Sequence, residues 1–407
     1  MRKTKNLKMK LIKTDIKNNV LQSMINILDE KRAQIIEANK QDLEAFGENE
    51  GAMYDRLIVN DKKVDDMIQS VKEVMQQEDP VGQTISHRVL DSGLDITNKT
   101  APFGTIMIIY ESRPDVTIEA AVLAFKANNK ILLKGGKEAF NSNKILEACW
   151  HEALKDNGLE TDWIRLMNMN RADTREFLKN PPEKLDLIVP RGGEKLIGFV
   201  KENATCAVLI SGRGNNFLYV SKDADFDTAK KVILNAKTDK ISGCNALDKV
   251  LIDTQLPDYE NKLKELQEML KKHKVDILVN DEAQKVLKEE TLIPNEDTWY
   301  EEFLAMKIVL GTTSGLEKAI DKINKYSGGH SAVIITKDKE EAAEFMQQVD
   351  SAAVYHNAST RFTDGGQMGV GAELAISTDK LHHRGPLGLK QLVTNKYYVL
   401  GDGHIRE

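Results

Sequence analysis

The sequence predicts an α/β fold, and two observations support this prediction. Short apolar runs alternate with amphipathic helical patterns from Pro102 to Val220, and the alternation resumes from Lys249 to His356. Apolar strands separated by such helices are typical of parallel sheets covered on both faces. The 407 residues, 41% hydrophobic and 29% charged, have the composition of a globular chain with roughly two or three domains.

Composition and charge exclude several classes of protein. The 57 basic and 63 acidic residues give a formal net charge of −6, which argues against a general nucleic-acid-binding protein. No apolar run approaches the ~20 residues that span a bilayer, so we expect no membrane segment. The basic stretch 1–17 lacks the apolar core of a signal peptide, and it is typical of a solvated helix start.

The cysteines and histidines show no metal-binding spacing. Cys149, Cys206 and Cys244 are far apart in the chain, and the eight histidines include no His-x-x-x-His pair. We therefore expect no metal site. A sparse, odd set of cysteines is typical of a reducing compartment, so we expect a cytoplasmic protein without disulfides.

The chain before Pro102 has a different pattern from the rest. Residues 14–78 repeat apolar side chains at helical spacing and predict helices. The segment Thr84–Thr100 alternates imperfectly around a turn at Asp91–Gly93, which predicts a β-hairpin. An isolated hairpin is marginally stable, so we expect it to pair with another subunit or with the C-terminal tail.

The two alternations predict a series of strands and helices. The predicted strands are Ile106–Tyr110, Ile131–Lys134, Trp163–Met167, Leu185–Val189, Ala207–Ile210, Phe217–Val220, Lys249–Ile252, Val275–Val279, Met306–Leu310, Val333–Thr336, Ala353–His356 and Lys396–Leu400. The predicted helices are Asp115–Ala127, Asn141–Leu154, Ala172–Lys179, Gly193–Lys201, Tyr259–Lys272, Gly315–Lys325 and Glu340–Val349, and a further helical run ends near Lys237.

A glycine pair follows the second strand of the first alternation. Ligands of parallel sheets bind beyond the carboxyl ends of the strands. Gly135 and Gly136 let the backbone approach a ligand, Lys134 can meet a phosphate, and Glu138 can accept hydrogen bonds from ribose hydroxyls. A simple β–α turn is the alternative, and no Gly-x-Gly-x-x-Gly motif follows any strand.

Two further loops at strand ends carry arginine. Arg191, Gly192 and Gly193 precede a predicted helix, whose first N–H groups can bind an anion. Arg113 is followed by Pro114, a favourable first residue of a helix, which directs Arg113 toward the same edge of the sheet. Solvated surface arginines are the alternative in both loops.

Cys244 lies in a polar loop between a predicted helix and a buried strand, with Gly243 before it and Asn245 after it. A loop thiol on a rigid frame can attack a substrate, and the neighbouring backbone N–H groups can bind an oxyanion. A small cysteine packed under a loop is the alternative.

The segment from 360 to 388 is rich in glycine and too long for a simple connection. Its cations Arg361, His383 and Arg384 suit a substrate with carboxylate and phosphate groups, although a solvated basic loop is the alternative. Glu302, in the sequence Glu-Glu-Phe, is by itself a weak signal.

Several of these loops together resemble a known family. They resemble gamma-glutamyl phosphate reductases, of the aldehyde dehydrogenase superfamily, over nearly the whole chain and in the family's order. The matching segments are Pro102–Pro114, Leu133–Ala139, Asp186–Gly193, Cys244–Leu247, Asn357–Gln367 and His383–Gly388.

The resemblance implies an NADPH-dependent reduction of L-glutamyl 5-phosphate to L-glutamate 5-semialdehyde and phosphate, in proline biosynthesis. Cys244 would form a thioester, and its N–H and that of Asn245 would bind the oxyanion. Arg113 would hold the acyl oxygen or the phosphate, and Lys237 and Lys240 are candidates for lowering the pKa of the thiol.

The resemblance also assigns cofactor and substrate residues. Those expected near the adenosine ribose and its 2′-phosphate are Lys134, Gly135, Gly136 and Glu138. Those expected near the pyrophosphate are Arg191, Gly192 and Gly193, and Glu302 is expected near the nicotinamide ribose. Those expected at the substrate are Arg361, His383 and Arg384.

The chain departs from the family pattern at Ile241–Gly243 and Gly214–Tyr219, and its loop around Glu302 is shorter. Oxidising members of the superfamily carry a water-activating glutamate in the segment that corresponds to Ser211–Gly214, which has no carboxylate. We therefore expect negligible acid formation from the semialdehyde in the absence of phosphate.

The implied architecture is aldehyde-dehydrogenase-like. We expect an NADP-binding domain of Rossmann type at 1–235, which includes a bridging hairpin at 84–103. A catalytic domain would follow at 236–357, and 358–407 would return with the substrate loop and a bridging tail strand. The bridging strands suggest a homodimer or tetramer, and glutamate 5-kinase is a candidate partner. A coenzyme A-acylating aldehyde dehydrogenase and a non-catalytic kinase partner are the alternatives.

Overall fold

The computed structural model describes residues 10–47 and 51–406. Most of the basic segment at the start, residues 1–9, lies outside the described residues. Contacts divide the chain into two compact units. The first runs to Ile210 and also includes Gly369–Ala375 and the chain from Leu387 onward, and the second consists of Ser211–Met368 and Ile376–Pro386.

The helices and strands follow one another along the described chain, with a few short 3-10 turns between them. The helices are α1 (Thr14–Glu30), α2 (Arg32–Phe46), α3 (Gly51–Leu57), α4 (Asp61–Gln76), α5 (Asp115–Lys126), α6 (Phe140–Asp156), α7 (Arg171–Lys179), α8 (Glu194–Asn203), α9 (Phe226–Thr238), α10 (Tyr259–Lys272), α11 (Asp281–Val286), α12 (Asp297–Tyr300), α13 (Leu316–Tyr326) and α14 (Lys339–Gln348). The strands are β1 (Thr84–Val89), β2 (Asp95–Pro102), β3 (Thr105–Tyr110), β4 (Lys130–Lys134), β5 (Ile164–Leu166), β6 (Leu187–Arg191), β7 (Ala207–Val208), β8 (Asn216–Val220), β9 (Leu247–Asp253), β10 (Asp276–Val279), β11 (Thr291–Leu292), β12 (Lys307–Thr313), β13 (Ser331–Ile335), β14 (Ala353–His356), β15 (Glu373–Ser377), β16 (Gly385–Gly388) and β17 (Val393–Leu400).

The first unit contains a five-stranded parallel sheet of order β5-β4-β3-β6-β7. The chain starts at β3, moves outward to β5, and then crosses back to β6 on the other side of β3. This order reverses direction between β3 and β6, as in doubly wound dinucleotide-binding sheets. The α/β prediction is confirmed, because residues 106–110 and other apolar runs form buried strands with helices between them.

The predicted hairpin is confirmed as β1 and β2, which pair antiparallel. Its turn contains Gly93 at φ +85°, a conformation that glycine adopts without strain. The hairpin was expected to pair with another subunit or with the C-terminal tail. It pairs with the tail, since β17 runs antiparallel to β2 along its whole length. Whether this three-stranded sheet bridges subunits stays a prediction.

The second unit contains a seven-stranded parallel sheet of order β11-β10-β12-β9-β8-β13-β14. The sequence prediction put β8 and α9 with the first domain and its boundary near residue 235. The contacts place both with the second unit, because β8 pairs with β9 on one side and with β13 on the other. The functional roles of the domains stay a prediction.

The glycine-rich segment from 360 to 388 is partly ordered into β15 and β16, which the sequence did not predict. The chain passes between the two units at Met368, Ala375 and Pro386. Among the described residues, no helix combines the length and the apolar character needed to cross a membrane.

Candidate active site

Cys244 lies in the loop that connects α9 to β9. Two turn hydrogen bonds shape this loop: the Gly243 N–H donates to Lys240 O at 3.1 Å, and the Ala246 N–H donates to Gly243 O at 3.0 Å. Cys244 is half-buried, which leaves part of it accessible. Burial raises the pKa of Cys149 and of Cys206 to about 11, so these two thiols are poor nucleophiles at neutral pH.

The buried side chain of Asn216 holds the Cys244 loop from below. Its Nδ2 lies 2.8 Å from Cys244 O, 2.7 Å from Ala246 O and 2.9 Å from Gly214 O. Sequence reasoning did not single out Asn216. The only signal was that it falls in a segment, Gly214–Tyr219, that departs from the family pattern.

The Ser211–Gly214 loop packs tightly against the Cys244 loop. A Cβ added to Gly214 would lie 1.9 Å from Cys244 O, so only glycine allows this approach. A Cβ added to Gly212 would lie 2.4 Å from Thr378 Oγ1. The loop therefore has no space for larger side chains at these positions.

Asn245 connects the Cys244 loop to the segment around Arg361. The buried Asn245 Nδ2 donates to Thr363 O at 3.0 Å and to Arg361 O at 3.2 Å, while Asn245 O accepts from the Thr360 hydroxyl at 2.6 Å. Arg361 Nη1 would contact a Cβ on Gly243, at 2.9 Å. The structure thus brings two predicted site residues, Asn245 and Arg361, to the Cys244 loop.

The other predicted substrate residues have partners elsewhere in the second unit. Arg384 Nη1 pairs with Asp350 Oδ1 at 2.6 Å, and its Nη2 donates to Asp350 O at 3.0 Å. Lys380 and Arg384 hold the pKa of Asp350 below its usual value. The His383 ring nitrogen Nε2 lies 2.9 Å from Pro386 O. Their substrate roles stay predictions.

Lys237, which was expected to lower the pKa of Cys244, is paired with a carboxylate instead. Its Nζ forms a buried ion pair with Asp248 Oδ1 at 2.9 Å, and burial lowers its pKa although Asp248 opposes this shift. Because Asp248 neutralises this charge, Lys237 is a weak candidate for lowering the pKa of Cys244. Lys240 is exposed in the turn before the cysteine.

In the first unit, Arg113 is held by a buried carboxylate at the start of α5. Asp115 Oδ2 lies 3.0 Å from Arg113 Nη2 and 2.7 Å from Lys63 Nζ. Burial alone would raise the pKa of Asp115, but the two cations hold it well below its usual value. Arg113 therefore stands at the carboxyl end of β3 with a fixed carboxylate behind it.

Arg191, at the end of β6, faces the same group of charges. Its Nη1 lies 4.0 Å from Glu119 Oε2, and burial together with Arg113 lowers its pKa. Gly193 precedes α8 without a side-chain cap, and a Cβ added there would meet nothing within 4 Å. Open space at uncapped helix N–H groups suits a phosphate.

A pocket lies beyond the carboxyl ends of β4 and β5. It is lined by Lys134, Gly135, Gly136, Lys137, Phe140, Asn143 and 166–169. Lys134 Nζ donates to Gly135 O at 3.0 Å, and burial lowers its pKa. Glu138 Oε1 accepts from the Ser112 N–H at 2.8 Å and its hydroxyl at 2.9 Å, so this carboxylate braces the loop after β3. Its contact with ribose stays a prediction.

Glu302 lies in the loop between α12 and β12. Arg213 Nη1 donates to Tyr300 O at 3.0 Å and thereby links this loop to the Ser211–Gly214 segment. Lys249 Nζ donates to Glu301 O at 2.8 Å, and the Phe303 N–H donates to Asp248 Oδ2 at 3.0 Å. Among the described residues, no cluster of His, Cys, Asp and Glu could hold a metal ion.

Comparisons with known proteins find relatives over nearly the whole chain. The chain is 42% identical over 395 residues to the gamma-glutamyl phosphate reductase of Thermotoga maritima, covering 96% of this chain and 94% of that protein. It is 39% identical over 400 residues to that of Dictyoglomus thermophilum, covering 98% and 95%. The chain belongs to the gamma-glutamyl phosphate reductase family. No family model matches it.

Solved structures support the family assignment and show that a more distant enzyme has the same fold. The crystal structure of gamma-glutamyl phosphate reductase from Thermotoga maritima superposes with a TM-score of 0.93 at 40% identity, covering 98% of this chain and 96% of that one. An acetylating aldehyde dehydrogenase from Geobacillus thermoglucosidasius gives 0.68 at 16% identity, covering 97% and 94%, and shows the shared aldehyde-dehydrogenase-like fold. This chain therefore has the same fold as that aldehyde dehydrogenase.

Proposed function

We propose that the chain reduces L-glutamyl 5-phosphate to L-glutamate 5-semialdehyde with NADPH, through a thioester on Cys244. The observation that carries the proposal is the Cys244 loop, where Asn216 holds the backbone carbonyl of a half-buried cysteine, and where Asn245 connects the loop to Arg361. The curated relatives support the substrate, since they are gamma-glutamyl phosphate reductases over nearly their full length.

Cys244 acts as the nucleophile. Its thiolate attacks the acyl carbon, and the carbon–oxygen bond to the phosphate breaks. Inorganic phosphate departs, and the acyl group remains bound to the sulfur as a thioester. The carbonyl oxygen becomes an oxyanion during this step and needs hydrogen-bond donors. Asn216 holds Cys244 O, and in a planar trans peptide the following N–H points the opposite way. The Asn245 N–H is therefore directed away from Asn216 and serves as an oxyanion donor, with the Cys244 N–H as a second.

The cofactor supplies a hydride to the thioester when it is bound. Cys244 then carries the reduced acyl group as a thiohemiacetal, whose collapse releases the semialdehyde and restores the thiolate. The first unit holds the dinucleotide: the uncapped start of α8 after Gly193 suits its pyrophosphate, and the Lys134–Gly136 pocket suits its adenosine end. Glu302 accepts from the nicotinamide ribose.

The remaining cations bind the substrate. Arg361, next to Gly243, binds the α-carboxylate or the phosphate, and Arg113 binds the acyl oxygen or the phosphate. His383 and Arg384 complete the substrate segment. The Ser211–Gly214 loop carries no carboxylate that could activate water, so the thioester is protected from hydrolysis.

The assembly is part of the proposal. We infer that the chain works in the cytoplasm as a homodimer or tetramer, with the sheet of β1, β2 and β17 at a subunit contact. The exposure of Ile85, Val89, Val399 and Leu400 on this sheet supports a contact. Glutamate 5-kinase, whose product would be the substrate, is a candidate partner.

Phosphate-dependent NADP⁺ reduction with glutamate semialdehyde tests the proposed function in the reverse direction. We expect Cys244→Ala to lose at least about 10³-fold in kcat. Cys206→Ala, which removes a thiol that the reaction does not use, should keep wild-type activity. Acid formation without phosphate should be negligible. A coenzyme A requirement, or activity retained by Cys244→Ala, would refute the proposal.

A further inference from the structure

Two buried residues of β9 hold the backbone on both sides of Glu302. Asp248 and Lys249 are 2% and 0% exposed. Asp248 Oδ2 accepts from the Phe303 N–H at 3.0 Å, and Lys249 Nζ donates to Glu301 O at 2.8 Å. The peptide groups that flank Glu302 are therefore fixed by two side chains to which the reaction itself assigns no step.

Both side chains are themselves held in place. Asp248 Oδ1 pairs with the buried Lys237 at 2.9 Å, so this carboxylate has little freedom. Lys249 Nζ lies 3.7 Å from the centroid of the Phe303 ring, a distance at which an aromatic face attracts a cation. Burying three ionisable side chains together costs more free energy than burying apolar ones of similar size, which points to a purpose other than packing.

We propose that Asp248 and Lys249 are positioning residues, which hold the loop Glu301–Phe303 so that the Glu302 carboxylate meets the ribose hydroxyls of the cofactor. This inference rests on the role proposed above for Glu302. A carboxylate binds a diol well only when its backbone is held in advance, because ordering a loose loop reduces the free energy of binding.

Strand β9 also connects the Glu302 loop to the nucleophile. The strand begins at Leu247, shortly after Cys244, so the same strand fixes one end of the nucleophile loop and supports the cofactor loop. The two hydrogen bonds from β9 to the loop Glu301–Phe303 set the position of this loop relative to that strand.

The test compares two lysines near the same ring. Lys249→Met and Lys249→Thr both remove the donor to Glu301 O. Methionine keeps the volume of the side chain, and threonine is favoured in strands, so one variant can still be measured if the other does not fold. Lys307→Met is the matched control, because Lys307 Nζ also lies over the Phe303 ring, at 4.8 Å. The measurements are NADPH binding by fluorescence without substrate, and hydrogen exchange of amides 301–304 without cofactor.

We expect the Lys249 variants to weaken NADPH binding about tenfold and to speed exchange of these amides about tenfold, with the KM for the semialdehyde changed less than about twofold. The control should stay within about twofold of wild type in both measurements. Unchanged exchange in the Lys249 variants would refute the inference, and so would faster exchange with unchanged NADPH affinity.

A variant of Glu302 separates this inference from the proposed function. We expect Glu302→Gln to weaken NADPH binding, and Lys249→Met to have no further effect on affinity in that background. If Glu302→Gln leaves NADPH binding unchanged, the proposed role of Glu302 fails. If Glu302→Gln weakens binding and the Lys249 variants do not, the positioning role alone fails.

Discussion

The Cys244 loop and the loop after β3 are held in place by different forces. The backbone on both sides of the nucleophile is held by neutral hydrogen bonds: the Asn216 amide binds Cys244 O and Ala246 O, and the Asn245 amide binds Thr363 O. In the first unit, the loop around Arg113 is held by ion pairs of Asp115 with Arg113 and Lys63.

This difference predicts how each region responds to its surroundings. Hydrogen bonds between amides and carbonyls keep their strength across ordinary pH and salt, whereas charged groups respond to protonation and to ions. The geometry of the nucleophile should therefore stay constant, while the arginine region should adapt to the charge of what it binds.

Among variants that keep the nucleophile, the largest effect should come from Gly214→Ala. The added Cβ would overlap Cys244 O, so the Cys244 loop must shift. We expect kcat to fall at least about 100-fold, since a displacement of about 1 Å at a reacting group has an effect of this size. Steady-state kinetics measure the loss.

Gly198→Ala is the control for this variant. An added Cβ there meets nothing within 4 Å, and α8 should become slightly more stable. Wild-type kcat in Gly214→Ala would show that the close approach of the two loops does not set the position of the thiol.

Asn216→Ala should have the next largest effect. It leaves the carbonyls of Cys244 and Ala246 without their buried donor, at about 1–3 kcal/mol in the free energy of unfolding. We expect kcat to fall about 10- to 100-fold with a smaller change in KM, because the loop loses its orientation rather than its substrate contacts.

Urea unfolding and steady-state kinetics measure both effects of Asn216→Ala. Asn203→Ala, a buried asparagine with one hydrogen bond to Phe199 O, should leave kcat unchanged. Equal kcat in the two variants would contradict the anchoring role of Asn216.

The sequence predicted the fold where local patterns are sufficient. Helix α10 has the predicted bounds because its apolar side chains, Leu263, Leu266 and Leu270, repeat at helical spacing and are all buried. The membership of β8 could not be predicted in the same way. Its residues are buried on both faces, and only pairing with the distant β9 and β13 assigns it to the second unit.

In the candidate site, too, local sequence predicted some features, and contacts between distant residues determine the others. The position of Cys244 in a loop before a buried strand follows from local sequence, and the resemblance singled it out as the nucleophile. Its anchor did not follow, because Asn216 lies 28 residues from Cys244 in the chain. Lys237 was expected near the thiol, but its side chain meets Asp248, a contact that depends on how α9 packs on β9.

In the charged region, Asp115→Asn should cost about 2 kcal/mol in the free energy of unfolding near pH 7, because Arg113 and Lys63 lose their shared carboxylate. The folded pKa of Asp115 is lowered, so its contribution is complete above the unfolded pKa of about 4 and is lost as the pH falls further.

Urea unfolding at several pH values measures this difference. It should shrink below about pH 4, where the unfolded wild-type chain binds a proton at Asp115 that the folded chain does not. Asp227→Asn, which breaks an exposed pair with Lys230, should leave the stability almost unchanged. A pH-independent difference for Asp115→Asn would argue against the ion pairs.

The smallest effect concerns Lys249 of the second unit, whose protonation changes near neutral pH. Burial lowers its pKa from 10.5 to about 7, with Lys237 and Lys307 acting in the same direction and Asp248 and Glu301 opposing. Between these two values the unfolded chain binds a proton that the folded chain does not, so stability rises with pH. Below the folded pKa both states are protonated, and the cost of burying the ammonium is fully present.

We therefore expect the free energy of unfolding to gain on the order of 1 kcal/mol per pH unit from about pH 7 to about pH 9 through Lys249. Lys249→Met should remove this slope, and Lys307→Met should keep it. Urea unfolding across that range measures it. Identical slopes in wild type and Lys249→Met would mean that the amine remains charged in the fold.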